Sequence, residues 1–491
     1  MKNKNIIIVG SGLGGLSAAL RLSSKGYNVK ILEKNNKPGG RLNRFSEGGF
    51  TFDLGPSFMS MTFEFDELFR DCGMDNPLKL TQLDPLYDVR FRKNKKPFRM
   101  WKDLDKLALE FKDIEPDFKI KAEKYLNKAS EFYHDTENIV IRKNFNSLTD
   151  YFMKISNVPL KHLPYLNKKL WNLLNETFES TEVKVIFSLV AFFLGSTPFE
   201  TPSIFSLLNY TEMKHDGYWT VEGGMYKIVE EIVDKLEKNG VEIIYNTEIT
   251  ETGNYNGKLE SAKDTHGKEW KADKFIINSD AAFFRGKVFN RKKYSDKNLS
   301  EMKWSLAPLT IYLGVKGKID NLYHHNYFLG DDFEKYAENI FKSSVMPGNP
   351  YYYLNMPSYT DKTCAPEGCE NLFILCPVPD LRFKKDWSDK EEIADNIIKD
   401  ISVRINYDLK ENILVKKILS PVEWESMFNL YKGSGLGLAH GMNQLGGFRP
   451  KNRDEKFSNV YYVGASTVPG TGLPMVLISS KLVTERIIDE S

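Results

Sequence analysis

The first forty residues place a cluster of glycines between two short apolar segments. Residues 6–9 form an unbroken apolar run, typical of a buried parallel strand, and lead directly into Gly-Ser-Gly-Leu-Gly-Gly at 10–15. Apolar residues then recur at helical spacing as far as Gly26, and a second apolar run at 29–32 ends at Glu33. The order strand, glycine turn, helix, strand and acid predicts a dinucleotide-binding unit.

The residues of this turn have separate predicted tasks. Gly10 allows the tight turn, Gly12 lets the backbone approach a pyrophosphate at the helix N-terminus, and Gly15 lets the helix pack closely on the strand. The Glu33 carboxylate can hold a ribose hydroxyl, and its charge disfavours the 2′-phosphate of NADP. The predicted contacts are Gly10, Gly12, Leu13, Gly14, Gly15 and Glu33.

A second glycine pair follows the acid, in the segment 34–41. Lys34, Gly39, Gly40 and Arg41 can bring backbone N–H groups and a guanidinium to the same diphosphate, which favours FAD over NAD. A plain surface turn is the alternative interpretation.

Composition excludes several classes of protein. A chain of 491 residues with 41% hydrophobic and 27% charged residues is neither a single small module nor disordered. The formal charge of +2 gives no support for a nucleic-acid partner. Four cysteines without a CxxC pair indicate reduced, buried thiols in a cytosolic protein rather than a metal site, and the start MKNKNIIIVGSG predicts no signal peptide.

The longest apolar run, residues 185–194, is shorter than the ~18 residues that a helix needs to cross a bilayer. It fits either a buried core helix or a surface segment that dips into lipid, helped by Lys168, Lys169 and Lys184. On the second interpretation, replacing Phe192 and Phe193 with aspartate would release the protein from liposomes.

Segments at both ends of the chain resemble one known family. GSGLGGLSAALRLSSKGYNVKILEKNNKPGGR at 10–41 and FTFDLGPS at 50–57 are similar to the opening of bacterial and fungal phytoene desaturases, the carotenoid-acting branch of the amine-oxidase-like flavoproteins. VYYVGAS at 460–466, PGTGLP at 469–474 and SSK at 479–481 resemble the closing pattern of the same family. Segments 365–379 and 446–454 resemble further parts of it.

The resemblance implies an α/β fold with a Rossmann-like, glutathione-reductase-like FAD-binding domain, an inserted α+β substrate lobe and a helical cap. The expected segments are the FAD domain at 1–100, 218–300 and 412–491, the cap with a possible membrane-associating segment at 101–217, and the substrate-lobe sheet at 301–411. Further implied FAD contacts are Leu54, Gly55, Pro56, Glu248, Ile249, Gly464 and Ala465.

The C-terminal pattern also predicts a site from its own residues. A buried strand at 460–463, a loop of small residues and prolines, and an apolar helix at 475–482 aim a helix N-terminus into the protein. In the related flavoproteins such an end stabilises the reduced flavin, which implies ring contacts from Gly472, Leu473, Pro474 and Met475. The alternative is a loop before an ordinary terminal helix.

The middle of the chain contains two kinds of segment. Residues 103–182 are lysine-rich with helical spacing, as in a cap. Strands are predicted at 241–245 and 274–277, and the resemblance implies that they return the chain to the FAD domain. Residues 278–280 fit either a loop of that domain or a helix cap. The 306–411 segment alternates strands and loops, and its aromatic residues are either tunnel lining or ordinary core: Tyr323, Tyr327, Phe328, Tyr351, Tyr352 and Tyr353.

The resemblance implies an FAD-dependent desaturase that introduces double bonds into phytoene or a related polyene by hydride transfer to the flavin and proton loss. LPMVLISSK at 473–481 is closer to the branch that handles C30 diapocarotenoids. A C30 diapophytoene desaturase, a later-step carotenoid dehydrogenase, a polyene saturase or isomerase, and a non-enzymatic carotenoid carrier therefore stay open.

Spacing identifies no catalytic base. Asp150, Glu222 and His440 are titratable groups near interesting segments, each also explained as a structural or solvated residue. Because carotenes partition into bilayers, we expect a cytoplasmic protein attached peripherally to a membrane surface. The expected partners are a long apolar polyene and, as electron acceptor, oxygen or a quinone.

Overall fold

The computed structural model describes residues 4–94, 96–341, 343–346 and 350–490. Its strands are β1 (Asn5–Val9), β2 (Asn28–Leu32), β3 (Arg44–Glu47), β4 (Phe50–Asp53), β5 (Leu80–Gln82), β6 (Tyr87–Phe91), β7 (Phe98–Met100), β8 (Trp219–Val221), β9 (Glu242–Ile244), β10 (Ile249–Tyr255), β11 (Lys258–Asp264), β12 (Glu269–Lys271), β13 (Lys274–Ile277), β14 (Ala307–Lys316), β15 (His325–Leu329), β16 (Tyr352–Asn355), β17 (Cys369–Val378), β18 (Ile413–Leu419) and β19 (Val460–Tyr462).

The α-helices are α1 (Leu13–Ser23), α2 (Phe63–Asp71), α3 (Leu104–Phe111), α4 (Phe118–Thr136), α5 (Leu148–Ile155), α6 (Leu163–Asn167), α7 (Leu170–Thr177), α8 (Thr181–Ser188), α9 (Val190–Phe193), α10 (Leu207–Tyr210), α11 (Lys227–Lys238), α12 (Asp296–Glu301), α13 (Phe333–Asn339), α14 (Lys390–Ile405), α15 (Pro421–Phe428) and α16 (Leu473–Asp489). π-Helical turns cover Glu137–Ile141, Thr211–His215 and Ala282–Val288. Short 3₁₀ turns cover Leu160–His162, Ser203–Ser206, Lys292–Tyr294, Pro357–Tyr359, Lys362–Cys364, Lys410–Asn412, Tyr431–Gly433, Met442–Gln444 and Gly446–Phe448.

Five strands from both ends and the middle of the chain form one parallel sheet, in the order β19-β13-β1-β2-β9. The central strand β1 pairs Ile8 with Ile31 and Ile276, and all three side chains are fully buried. Helices α1, α11 and α16 cover one face, and the antiparallel sheet β10-β11-β12 with the 282–288 turn covers the other. Burial on both faces explains why these strands are continuous apolar runs. The predicted Rossmann-like α/β fold is confirmed.

A second, seven-stranded sheet has the order β18-β14-β17-β16-β15-β6-β7 and is antiparallel except where β15 meets β6. Helix α14 packs Ile397, Ile398 and Ile401 against it. Strands β6 and β7 precede residue 101, and β18 follows residue 411, so the predicted boundaries at 100 and 412 differ from those of the sheet. Strand periodicity predicts that a segment forms a β-strand, but it does not predict which sheet that strand joins.

Helices α3 to α10 form a helical lobe at residues 104–210, within the cap predicted at 101–217. The run 185–194 lies inside this lobe, where Val185, Ile186 and Phe187 are at most 2% exposed. The interpretation of this run as a lipid-dipping segment is therefore wrong, and the core interpretation is confirmed. Apolar side chains gain from leaving water whether they enter lipid or a protein core, so the run alone does not distinguish the two. Here the neighbouring helices bury it in a hydrophobic core.

Within the described residues, no helix is both long and apolar enough to cross a membrane. The four cysteines are free thiols: Cys364 and Cys376 are buried, while Cys72 and Cys369 are partly exposed.

Candidate functional site

The turn after β1 is so tightly packed that only glycine fits at several positions. Gly10 has φ +97°, and a Cβ atom there would lie 2.7 Å from the carbonyl oxygen of Asn278. A Cβ at Gly15 would lie 2.2 Å from the carbonyl oxygen of Gly10, and one at Gly14 would lie 2.7 Å from the Asn278 Oδ1 atom. Helix α1 therefore begins in close contact with the strand that precedes it, as predicted for Gly15.

Glu33 fixes the shape of this turn. Its carboxylate accepts hydrogen bonds from the Ser11 backbone N–H (2.7 Å) and hydroxyl (2.6 Å) and from the Asn35 N–H (2.9 Å). The Glu33 residue is only 5% exposed, yet it lines the cavity described below. The acid predicted to hold a ribose thus also ties the end of β2 to the glycine turn.

The second glycine pair lies against the first. The Gly39 N–H donates to the Ser11 carbonyl (2.9 Å), and a Cβ on Gly40, where φ is +57°, would lie 3.2 Å from Gly12 Cα. The Arg41 guanidinium donates to the Gly435 carbonyl (2.6 Å). Two backbone segments and the partly buried guanidinium of Arg41 therefore line the same cavity, the arrangement that a diphosphate needs.

Asn429, directly after α15, links Lys34 to Glu248 by hydrogen bonds. Lys34 Nζ donates to the Ser426 carbonyl and to the Asn429 side chain, both at 2.7 Å, and the Asn429 amide donates to Glu248 (2.8 Å). Ile249 is buried beside them. This group of side chains closes the end of the cavity where the resemblance implied FAD contacts from Glu248 and Ile249.

The N-terminus of α16 closes the opposite end. Gly472 has φ +106°, no side chain caps the helix, and Pro474 stands in its first turn, so free backbone N–H groups remain there. Buried Arg449 holds the preceding loop by donating to the Ala465 (2.7 Å) and Thr467 (2.9 Å) carbonyls. Arg449 was not predicted, although it lies in the 446–454 segment that resembled the family.

One cavity of about 650 Å³ connects these elements with the substrate lobe. All the predicted cofactor-binding residues except Gly15 line it. Gly15 instead faces Ile8 and the Gly10 carbonyl, where the absence of a side chain allows α1 to pack closely on β1. That these residues bind a cofactor stays a prediction.

The part of the cavity beyond α16 is apolar and aromatic. Its wall includes Phe58, Leu189, Phe192, Phe193, Leu208 and Tyr218. Of the six aromatic residues considered for a tunnel, Tyr327, Tyr351, Tyr352 and Tyr353 line the cavity, whereas Tyr323 and Phe328 do not. Phe192 and Phe193 thus face the cavity rather than a membrane.

The three candidate bases lie in different environments. Asp150 pairs with Lys154 (2.9 Å), Glu222 pairs with Lys79 (3.5 Å) at the surface, and neither lines the cavity. His440 does line it, but burial lowers its pKa to about 3, and its Nε2 accepts from the Thr471 N–H (3.4 Å). A neutral imidazole held in this way supports the loop before α16. Sequence reasoning missed Glu212, a buried carboxyl group in the cavity wall.

Residues 278–280 combine both interpretations given above. The Asn278 amide donates to the Gly10 and Gly12 carbonyls at 3.1 Å and lines the cavity. Asp280 accepts from the Ala282 N–H (2.9 Å) and so caps the next helical turn, and burial raises its pKa to about 6.

Residues 13–488 match the family model for flavin-containing amine oxidoreductases. The chain belongs to this family. It is 31% identical to the zeta-carotene-forming phytoene desaturase of Myxococcus xanthus, over 99% of this chain and 94% of that protein. It is 30% identical to the 4,4'-diapophytoene desaturase (4,4'-diapolycopene-forming) of a Methylomonas species, over 98% of this chain and 96% of that one.

A solved structure of another amine oxidoreductase has the same fold. Cyclohexylamine oxidase from Brevibacterium oxydans superposes with a TM-score of 0.63 at 14% identity, covering 99% of each chain. The residues of the present chain fit a flavin cofactor: glycine turns packed too closely to admit a side chain bring the backbone to the wall at one end of the cavity, and free helix N–H groups stand at the far end.

We expect Glu33→Gln to weaken flavin binding about 10-fold or more, because the Ser11 and Asn35 donors lose a charged acceptor. Titrating the flavin-free protein with FAD and following flavin fluorescence measures the affinity. Glu47→Gln, at an exposed carboxyl group on β3, is the matched control and should bind FAD like the unaltered protein. Equal affinities for the two variants would contradict this role of Glu33.

Proposed function

We propose that this oxidoreductase uses FAD to introduce double bonds into a long apolar polyene, as a carotenoid desaturase. The observation that carries the proposal is the single cavity whose one end is built of glycine turns and Glu33 and whose other end is aromatic and aliphatic. The names of the relatives from Myxococcus and Methylomonas support the polyene as substrate.

FAD rather than a smaller flavin suits the length of the cradle. Glu33 and the Lys34–Asn429–Glu248 group stand at one end of the predicted cofactor site and the α16 N-terminus at the other, with the two glycine loops between them. A dinucleotide has a ribose, a diphosphate and a ring to match these three parts. When bound, the flavin ring supplies a two-electron acceptor for hydride from a C–H bond.

The protein's own contribution is to position the polyene and exclude water. A hydrocarbon offers no hydrogen bond, so orientation must come from contact with aromatic faces such as Phe58, Tyr327 and Tyr353. Phe58 stacks on His325 of β15 (4.1 Å between ring centroids), which holds its ring against the second sheet. Burial lowers the pKa of His325, so no charge stands behind this ring.

The decisive experiment expresses the chain in two bacteria, one that accumulates the C40 hydrocarbon phytoene and one that accumulates its C30 counterpart. We expect the extracted polyene of one strain to become coloured and lighter by whole pairs of hydrogen atoms. Gly14→Ala, which would place Cβ against Asn278 and Gly464, should abolish the change. Unchanged polyenes in both strains, with flavin-loaded protein present, would refute the proposal.

We further propose that the protein takes its substrate from a lipid bilayer through an exposed apolar surface, here called the α5 patch. Leu148, Phe152, Met153, Leu160 and Leu163 are between 45% and 74% exposed within sixteen residues of sequence. Phe448, 48% exposed, contacts Phe152 across 6.2 Å between ring centroids. Apolar side chains in this density favour insertion at a lipid surface.

The α5 patch adjoins the cavity. Leu445 lines the cavity, and the glycines that follow it pack on Tyr151, where a Cβ at Gly447 would lie 2.6 Å from the ring. Phe448, the residue after Gly447, is exposed on the α5 patch. The same short loop thus belongs to the cavity wall at one end and to the exposed surface at the other.

We expect the double variant Phe152→Asp and Met153→Asp to lose most of its co-sedimentation with liposomes while keeping its flavin. Both side chains are more than half exposed, so the fold does not depend on their burial. Val403→Asp, at a 74% exposed apolar position on α14, should sediment like the unaltered protein. Undiminished sedimentation of the double variant would contradict the role of the patch.

A further inference from the structure

A carboxyl group lies buried in the apolar part of the cavity. Glu212 is 3% exposed and stands on the π-helical turn Thr211–His215, directly after α10. Within the described part of the chain, no ion pair involves Glu212. A buried carboxyl group without a cation costs several kcal/mol unless hydrogen bonds compensate for the lost water. The position therefore needs an explanation beyond packing.

Two phenols provide part of that compensation. The phenol groups of Tyr87 and Tyr218 lie near the Glu212 carboxyl group and lower its pKa against the larger effect of burial. The two rings lie 6.2 Å apart between centroids, and Tyr87 contacts Tyr327 at 5.3 Å. Glu212, Tyr218 and Tyr327 all line the cavity, whereas Tyr87 stands behind them. The carboxyl group at the cavity wall thus has phenol groups from two different segments beside it.

This arrangement leaves hydrogen-bonding capacity for a ligand. A carboxylate has about four acceptor sites, and the two neighbouring phenols can fill at most two of them. Burial raises the pKa of Glu212 to about 7, so near neutral pH the group is present both as a carboxylate and as an acid. The first form accepts a hydrogen bond from an alcohol, and the second donates one to a carbonyl group. A pure hydrocarbon can use neither form.

We propose that Glu212 and Tyr218 form a polar subsite that binds a hydroxyl group on an otherwise apolar polyene. The apolar cavity then accepts the parent hydrocarbon as well, and it binds an oxygenated isoprenoid polyene more tightly. This inference rests on the proposed function for the polyene itself. It follows from the rule that a site built to hydrogen-bond a hydroxyl group discriminates strongly against a ligand that lacks one.

The test is a binding measurement that needs no turnover. The flavin-loaded protein is titrated in detergent with a C40 hydrocarbon polyene and with a terminally hydroxylated polyene of the same conjugation, and binding is followed by quenching of protein fluorescence. We expect the unaltered protein to prefer the hydroxylated polyene by about 10-fold or more, the effect of one hydrogen bond to a charged group. Equal affinities would overturn the proposal.

Two variants of Glu212 separate recognition from structural support. Glu212→Leu should remove the preference by weakening only the hydroxylated polyene, and Glu212→Gln, which keeps hydrogen-bonding capacity, should retain part of it. If Glu212 only supported the fold, Glu212→Leu would weaken both ligands equally and lower the melting temperature, and that result would overturn the proposal. A preference that survives in Glu212→Leu would overturn it too.

Glu64→Gln is the matched control. Glu64 is also a buried carboxyl group whose pKa is raised by burial to about 7, but it pairs with Arg142 and does not line the cavity. The preference should be unchanged in this variant, and its loss there would contradict a local role for Glu212. The desaturation experiment above reports on the hydrocarbon independently, so failure of the subsite and failure of the proposed function give different results.

Discussion

The whole arrangement depends on the close approach of the first and the last glycine loops around Asn278. The Asn278 amide donates to the carbonyls of Gly10 and Gly12. A Cβ atom added at either Gly14 or Gly464 would lie only 2.7 Å from the Asn278 Oδ1 atom. These three segments come from the beginning, middle and end of the chain. Their contact requires that the strands preceding them be adjacent in one parallel sheet, in the order β19-β13-β1. Because parallel strands direct their carboxyl ends to the same edge, the sheet gathers the loops into one site.

The second sheet is fixed to the wall of the same cavity by a hydrogen bond. Strand β14 pairs along its full length with β17, and its Tyr312 hydroxyl donates to the Leu54 carbonyl (2.6 Å), immediately before Gly55 and Pro56 in the cavity wall. The apolar lobe is thereby tied to the predicted cofactor site by a buried hydrogen bond. This bond joins the second sheet to the segment that follows β4, and both line the same cavity.

Much of the fold was predictable because its signals are local. The strand at 274–277 was predicted with the bounds observed, and β1, β2 and β19 differ from prediction by one residue at one end. Both glycine loops and the terminal helix were placed from spacing alone. The predictions that failed concern features that depend on residues distant in the sequence. Strands β6 and β7 join the second sheet, and the 185–194 run is enclosed by helices. Nothing in the sequence near Glu212 indicates that Tyr87 approaches it. The roles of the predicted site residues stay predictions.

The central claim is that one cavity places an oxidisable polyene beside a bound flavin. It is tested most directly by mixing the purified, flavin-loaded protein with the polyene that it converts, in the absence of oxygen and of any other acceptor. The account predicts that the yellow colour of the oxidised flavin is lost while the polyene loses one pair of hydrogen atoms per flavin. A polyene that changes while the flavin stays oxidised would contradict it.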